Sequence, residues 1–156
     1  AGGHLAACTA FIDEFDASDD DRDVRATPDA LVLFNPALVL APLPGLDLDD
    51  SFGARVPASR LGTEPRNLSP AHHVGPGGPP TIIFHGRADQ TVPIVTAEAF
   101  ATRMRDAGNR CELVGYDDQP HGFFNREPWR TRTLEATDEF LASLGWQEAG
   151  RAAAPR

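Results

Sequence analysis

Residues 81–93 read TIIFHGRADQTVP, and the stretch changes character halfway. Thr81 to Gly86 is a short run of β-branched and apolar residues closed by a glycine. A run of that length with no polar alternation predicts a strand buried on both faces, as in a parallel sheet. The next residues, RADQTVP, are polar and turn-forming. Beyond them Ala97, Phe100, Ala101 and Met104 recur at helical spacing, and the stripe ends in arginines and Gly108. Basic residues and then a glycine are helix C-terminal signals. The stretch therefore reads strand, loop, helix.

The same alternation extends in both directions. Upstream, ALVLFNP (Ala30 to Pro36) is a second apolar run between turn residues, and again predicts a strand buried on both faces. Downstream, CELVGYD (Cys111 to Asp117) predicts a third strand, and QPHGFFNREPW a loop. Leu134, Thr137, Leu141 and Leu144 then mark a last helix, stopped by Gly145. At the other end, Gly2 to Phe15 reads as a helix, with Leu5, Cys8, Thr9 and Ile12 as its apolar stripe. Residues 37–80 are rich in proline and glycine and form a long irregular connection, of the kind that is usually functional or mobile. It is expected to cap something. Strands alternating with helices predict an α/β domain with a parallel sheet of about three strands. The domain is expected to span residues 1–146, with 147–156 a frayed tail that has no packing pattern.

Composition narrows the function classes. The 156 residues, 41% hydrophobic and 24% charged, suit one modest globular domain with a real core. No apolar run approaches the roughly 18–20 residues of a membrane-spanning helix. The net charge of −9 repels phosphate backbones and argues against a nucleic-acid partner. Much of the negative charge lies in DEFDASDDDRD, residues 13–23, which reads as a solvated loop. A calcium site is the alternative there, but the run lacks the glycine and the spaced glutamate of a calcium-binding loop. Cys8 and Cys111 form no CxxC and no zinc-ligand pattern, so free buried thiols are expected.

In an open α/β sheet, ligands bind beyond the carboxyl ends of the strands. Two loops leave strands there with titratable residues. One is HGRADQTVP, with His85 and Asp89; the other is DDQPHGFFN, with Asp117, Asp118 and His121. If their strands are neighbours, Asp89 and His121 meet at one edge. An aspartate that binds one ring nitrogen of a histidine fixes its tautomer and frees the other nitrogen to take a proton from a nucleophile. Two parts of a nucleophilic triad are present in the order Asp, His; the third, a serine, is expected earlier.

These motifs carry a specific resemblance. The chain resembles the C-terminal part of an α/β-hydrolase, in the esterase/lipase group whose members include acetyl esterases and carboxylesterase-like proteins. The matching pieces are AGGHLAA, SPAHHV, PPTIIFHGRADQTVP, RMRDAGNRCELVGYDDQPHGFFN and TLEATDEFLASLG. The pair HGxxDxxVP and HGFFN, in this order, carries most of the likeness. In that group the nucleophile elbow reads G-x-S-A-G-G-H-L-A, so Ala1 to Ala6 match the residues after the serine. The resemblance implies that the serine falls immediately before Ala1, and that an HGGG-like oxyanion loop lies further upstream. Ser18, Ser51, Ser59, Ser69 and Ser143 all lack the flanking glycines of an elbow, so the chain itself is expected to hold no nucleophile and to be inactive alone.

The resemblance implies Asp89 as triad acid and His121 as base. It makes the backbone N–H of Ala1 an oxyanion donor in the whole enzyme. Gly2 and Gly3 suit the tight turn of an elbow. His85 is expected to be structural. His72 and His73 are adjacent, so their side chains point apart; contacts within the cap are expected rather than a metal site. Asp117 and Asp118 are alternative partners for His121. Phe123, Phe124 and Trp129 either line a pocket or pack the last helix, with packing favoured because large aromatics dominate core energetics. The implied reaction is hydrolysis of a small-molecule carboxylic ester, with no metal or organic cofactor. A dienelactone-hydrolase or prolyl-peptidase-like enzyme is the alternative among hydrolases. A non-catalytic interaction module is the alternative from another class.

Overall fold

The structure, a computed structural model, describes residues 1–15, 17–21, 23–46 and 57–146. The expected tail (147–156), Ser51 and part of the 37–80 connection lie outside the described residues. The chain forms two compact units, Ala1–His121 and Gly122–Arg156.

The first unit holds a parallel sheet of three strands, β1 (Leu31–Phe34), β2 (Thr81–Gly86) and β3 (Cys111–Tyr116), in the order β1-β2-β3. Leu31 pairs with Thr81, and Thr81 with Cys111, so the three carboxyl ends stand side by side. All six residues of β2 are buried, as a central parallel strand requires. For β1 the expectation of burial on both faces fails. Leu31 and Leu33 are buried, whereas Val32 and Phe34 are only half-buried, because β1 pairs on one side alone among the described residues.

Helix α1 covers Gly2–Phe11, four residues shorter than expected. Ile12 is already extended, and the acids at 13 and 14 would oppose the negative end of the helix dipole. The packed face also differs from the expected stripe. Ala7 is fully buried while Leu5 is 62% exposed. Small residues face inward because the helix runs close to the sheet: a Cβ on Gly3 would stand 3.0 Å from the Pro36 Cβ. Phe11 completes that face, edge-on to Phe100 at 5.5 Å.

The described residues of the 37–80 connection, 37–46 and 57–80, hold more regular structure than their composition suggests. They contain the short helices α2 (Ala58–Leu61) and α3 (Pro70–His73), with a 3-10 turn at Pro65–Leu68. Leu38, Val39, Leu43 and Ala71 from the connection join the main core. A smaller cluster joins Leu40 to Val92, with Leu61 and Leu68 packed against it. The connection thus packs onto the loop after β2.

Helix α4 (Ile94–Asp106) buries the expected Ala97, Phe100, Ala101 and Met104 completely. It ends in a Schellman motif. Gly108 is left-handed (φ 80°), its N–H bonding the Arg105 carbonyl and the Asn109 N–H bonding that of Met104. In the second unit, helix α5 (Trp129–Ser143) ends the same way on Gly145. Its buried residues are Thr133 and Phe140, not the expected leucine stripe, and Leu134 is 53% exposed. Phe140, the largest apolar side chain in the helix after Trp129, sets the inward face, and Thr133 lies two turns before it on that face.

The acids described within 13–23 are exposed, in keeping with a solvated loop. Both cysteines are free; Cys111 is buried as expected, whereas Cys8 is only half-buried, and burial pushes the thiols up, to about 11 for Cys8 and about 12 for Cys111. No described helix is long and apolar enough to cross a membrane. Among the described residues no group of three or more His, Cys, Asp or Glu is placed to hold a metal ion.

Candidate active site

Asp89 and His121 meet where β2 and β3 end. His121 Nδ1 lies 2.8 Å from Asp89 Oδ2. Two features of the backbone bring them together. Asp89 comes three residues after β2, in a turn closed by its own N–H on the Gly86 carbonyl. The loop after β3 folds over that turn, where the Gln119 carbonyl accepts from the Ala88 N–H at 3.0 Å. Only glycine at 86 permits this approach, since a Cβ there would lie 2.2 Å from the Gln119 carbonyl oxygen.

The carboxylate is held on both oxygens. The Thr91 and Val92 N–H groups donate to Oδ1 at 2.8 and 2.9 Å. On Oδ2, the Asn35 amide donates at 2.5 Å beside His121. Burial pushes the Asp89 carboxyl up. The bonds from Val92, His121, Asn35 and Thr91 outweigh it and leave the group below its ordinary value. The aspartate is therefore charged at neutral pH. The neutral His121 ring then places its proton on Nδ1, since a carboxylate can only accept. Nε2, on the opposite side of the ring, keeps a lone pair.

His85 also lies beside Asp89. It is fully buried; its Nε2 lies 2.9 Å from the Val92 carbonyl and 3.5 Å from Asp89 Oδ2. Burial lowers its pKa, partly offset by the Val92 bond and the Asp89 charge, so it stays neutral and braces the acid's loop. That is the structural role expected for it.

Other sequence-level candidates fall elsewhere. Asp117 pairs with Arg87 (2.9 Å), and Asp118 occupies a left-handed turn position (φ 58°); neither takes the place of Asp89. His72 bridges Ser69 Oγ and the Pro42 carbonyl, and His73 meets the Arg66 carbonyl, so both act as ties within the connection. Phe123 packs edge-on against Phe124 and Trp129 within the second unit, which favours the packing reading. Ala1 is the N-cap of α1, its carbonyl accepting from the Leu5 N–H at 3.0 Å; no hydrogen bond joins it to Asp89 or His121. An open groove of about 870 Å³ lies between α1, the acidic loop and residues 73–78, and includes neither member of the pair.

Asn35 is the contact that sequence reasoning missed. It stood in ALVLFNP as a turn residue. A polar residue at the carboxyl end of an apolar strand was the available signal, but its meaning depends on β1 and β2 being neighbours.

A charged aspartate holding a histidine, on loops at the carboxyl edge of a parallel sheet whose strands alternate with helices, defines an α/β-hydrolase. The chain belongs to the prolyl oligopeptidase family, which it matches over residues 57–145. Among solved structures it is similar to Thermogutta terrifontis esterase 2 phosphonylated by sarin, at 44% identity and a TM-score of 0.86, over 94% of this chain and 55% of that one. The propionate-bound form of that esterase matches at 46% identity and a TM-score of 0.81, over 94% and 54%. The chain thus spans about half the length of these structures. A 67-residue stretch is 30% identical to isoprenylcysteine alpha-carbonyl methylesterase ICME of Arabidopsis thaliana, covering 42% of this chain and 16% of the relative.

Proposed function

We propose that the protein hydrolyses carboxylic esters of small acids, with His121 as general base and Asp89 as its partner. A serine immediately upstream of Ala1 would be the nucleophile. The observation that carries the reading is the 2.8 Å contact between His121 Nδ1 and a charged, fully bonded Asp89. The likeness to solved esterases at 44% identity supports ester substrates.

In this mechanism the serine oxygen attacks the acyl carbon while its proton passes to His121 Nε2. Asp89 stabilises the imidazolium that forms. His121 then gives the proton to the leaving alcohol. Water attacks the acyl-enzyme in the same way, releasing the acid and restoring the serine. The Ala1 N–H, as a peptide amide in the longer chain, would donate to the oxyanion. Family membership keeps a second reading in view, hydrolysis of a peptide bond after proline by the same residues.

The test is the polypeptide extended to its own upstream residues. It is expected to hydrolyse short-chain aryl esters in preference to prolyl peptides, and His121→Ala should lower kcat by roughly a million-fold. A residue other than serine directly before Ala1 would falsify the serine mechanism. Preference for the prolyl peptide would move the assignment to the second reading.

A further inference from the structure

We infer that Asn35 is a positioning residue for the acid–base pair: its side-chain amide fixes the Asp89 carboxylate so that Oδ2 faces His121. The inference rests on the reading of Asp89 and His121 as that pair.

Three observations carry it. The first is the contact itself. Asn35 Nδ2 donates to the same oxygen, Oδ2, that receives His121 Nδ1. The two backbone N–H groups hold only Oδ1, which leaves the carboxylate free to swivel unless Oδ2 is also anchored.

The second is what the amide gives up. Asn35 is 3% exposed, and its Oδ1 has no hydrogen-bond partner among the described residues. A buried acceptor without a partner is costly. Turning the amide over could not relieve it, because Oδ1 would then face a carboxylate oxygen, acceptor against acceptor. One orientation survives, and in it the whole donor capacity that is used goes to Asp89.

The third is the backbone. Asn35 stands just after β1 in the left-handed region (φ 44°), where a non-glycine residue is uncommon. Its N–H still bonds the Phe84 carbonyl, so the ladder continues for one residue and then turns. Pro36, the next residue, abuts Gly3 in the first turn of α1. Asn35 therefore links three elements: the end of β1, the start of α1 and the acid after β2. Unusual backbone conformations persist where surrounding structure holds them, often at functional sites.

Two substitutions tolerate this backbone. Asn35→Gly removes the amide and accepts the positive φ; Asn35→Asp keeps the shape but sets a second carboxyl against Oδ2, so that the two acids share one proton and Asp89 no longer faces His121 as a full carboxylate. The first readout is the tautomer of neutral His121, tracked through ring nitrogen shifts in the 156-residue chain. Wild type should hold the proton on Nδ1, and both variants should shift it measurably toward Nε2. The second is turnover of a short-chain ester in the upstream-extended protein. There kcat should fall roughly 10-fold for Asn35→Gly and roughly 100-fold for Asn35→Asp, with KM within about twofold.

An unchanged tautomer in both variants, with kcat within twofold of wild type, would overturn the inference. So would loss of fold in both, which would make Asn35 a structural residue only. The ester-hydrolase reading fails separately: if the extended wild type turns over no ester while the variants still shift the His121 tautomer, the positioning role stands and the proposed activity does not.

Discussion

Asp89 carries its charge against the cost of burial. Desolvation raises its pKa, and four donors lower it by more. The sign of the resulting pH dependence comes from linkage. A carboxyl whose pKa is depressed on folding adds stability that is fully present above its unfolded value, near 3.8. That stability is lost as pH falls through the lower, folded value. Asp89→Asn removes the titration and also leaves the His121 Nδ1 proton without its carboxylate. Two outcomes are expected. Urea midpoints of the variant should fall less steeply than those of wild type below about pH 4. In the extended protein, turnover near pH 7 should drop by roughly 10,000-fold, as it does when an orienting aspartate loses its charge. Parallel acid slopes for the two proteins would mean that the Asp89 bonds add nothing on folding. His85 adds to the same acid loss by a different route: burial lowers its pKa, so the unfolded chain takes up its proton first, and stability falls as pH drops below the ordinary histidine value near 6.5.

At the scale of elements, the carboxyl edge of the sheet is assembled by close approach. The turn after β2 and the loop after β3 touch through backbone at Gly86, where a Cβ would sit 2.2 Å from the Gln119 carbonyl oxygen. Backbone cannot yield as the end of a flexible side chain can. Gly86→Ala should therefore displace the loop that carries His121. It should cost roughly 2 kcal/mol of stability, the scale of overpacking, measured by chemical denaturation. It should also lower kcat in the extended protein by at least about 10-fold through misplacement of the base. A variant with normal stability and turnover would show that the two loops separate without consequence. Much of this edge was legible in the sequence. The strand TIIFHG, the stripe on α4 and the glycine stop signals at 108 and 145 are local patterns, each set by residues near one another in the chain. The pairing of Asp89 with His121 was legible through motif context. The features that stayed hidden depend on neighbours distant in sequence. The inward face of α1 is chosen by the nearness of Pro36, which favours Gly3 and Ala7 over the larger Leu5. The role of Asn35 is chosen by strand order. The inward face of α5 is set by Phe140, which the leucine spacing did not include.

On the scale of the whole molecule, two forces act in opposite directions on the 156-residue polypeptide. Among the described residues β1 pairs on one side only, and Leu31–Phe34 present an apolar edge with no charged residue to blunt it. Such an edge is a template for pairing with a second chain. Leu5, 62% exposed on α1, adds apolar surface. The net charge of −9 works against association by mutual repulsion. Repulsion is screened by salt, with a Debye length of about 8 Å at physiological ionic strength, whereas strand pairing and apolar burial are not. The balance should therefore tip with ionic strength. The polypeptide is expected to remain smallest in low salt near neutral pH, and to form larger species as sodium chloride is raised. Light scattering and gel filtration across a salt series measure this directly. Val32→Lys, a charge on the half-buried face of the edge strand, should suppress the larger species, because a lysine on an edge is a barrier to pairing. The upstream-extended protein should show neither behaviour if its added residues cover β1. A polypeptide that stays monomeric at every salt concentration, with a single cooperative unfolding transition, would show that the β1 edge is already protected within these 156 residues.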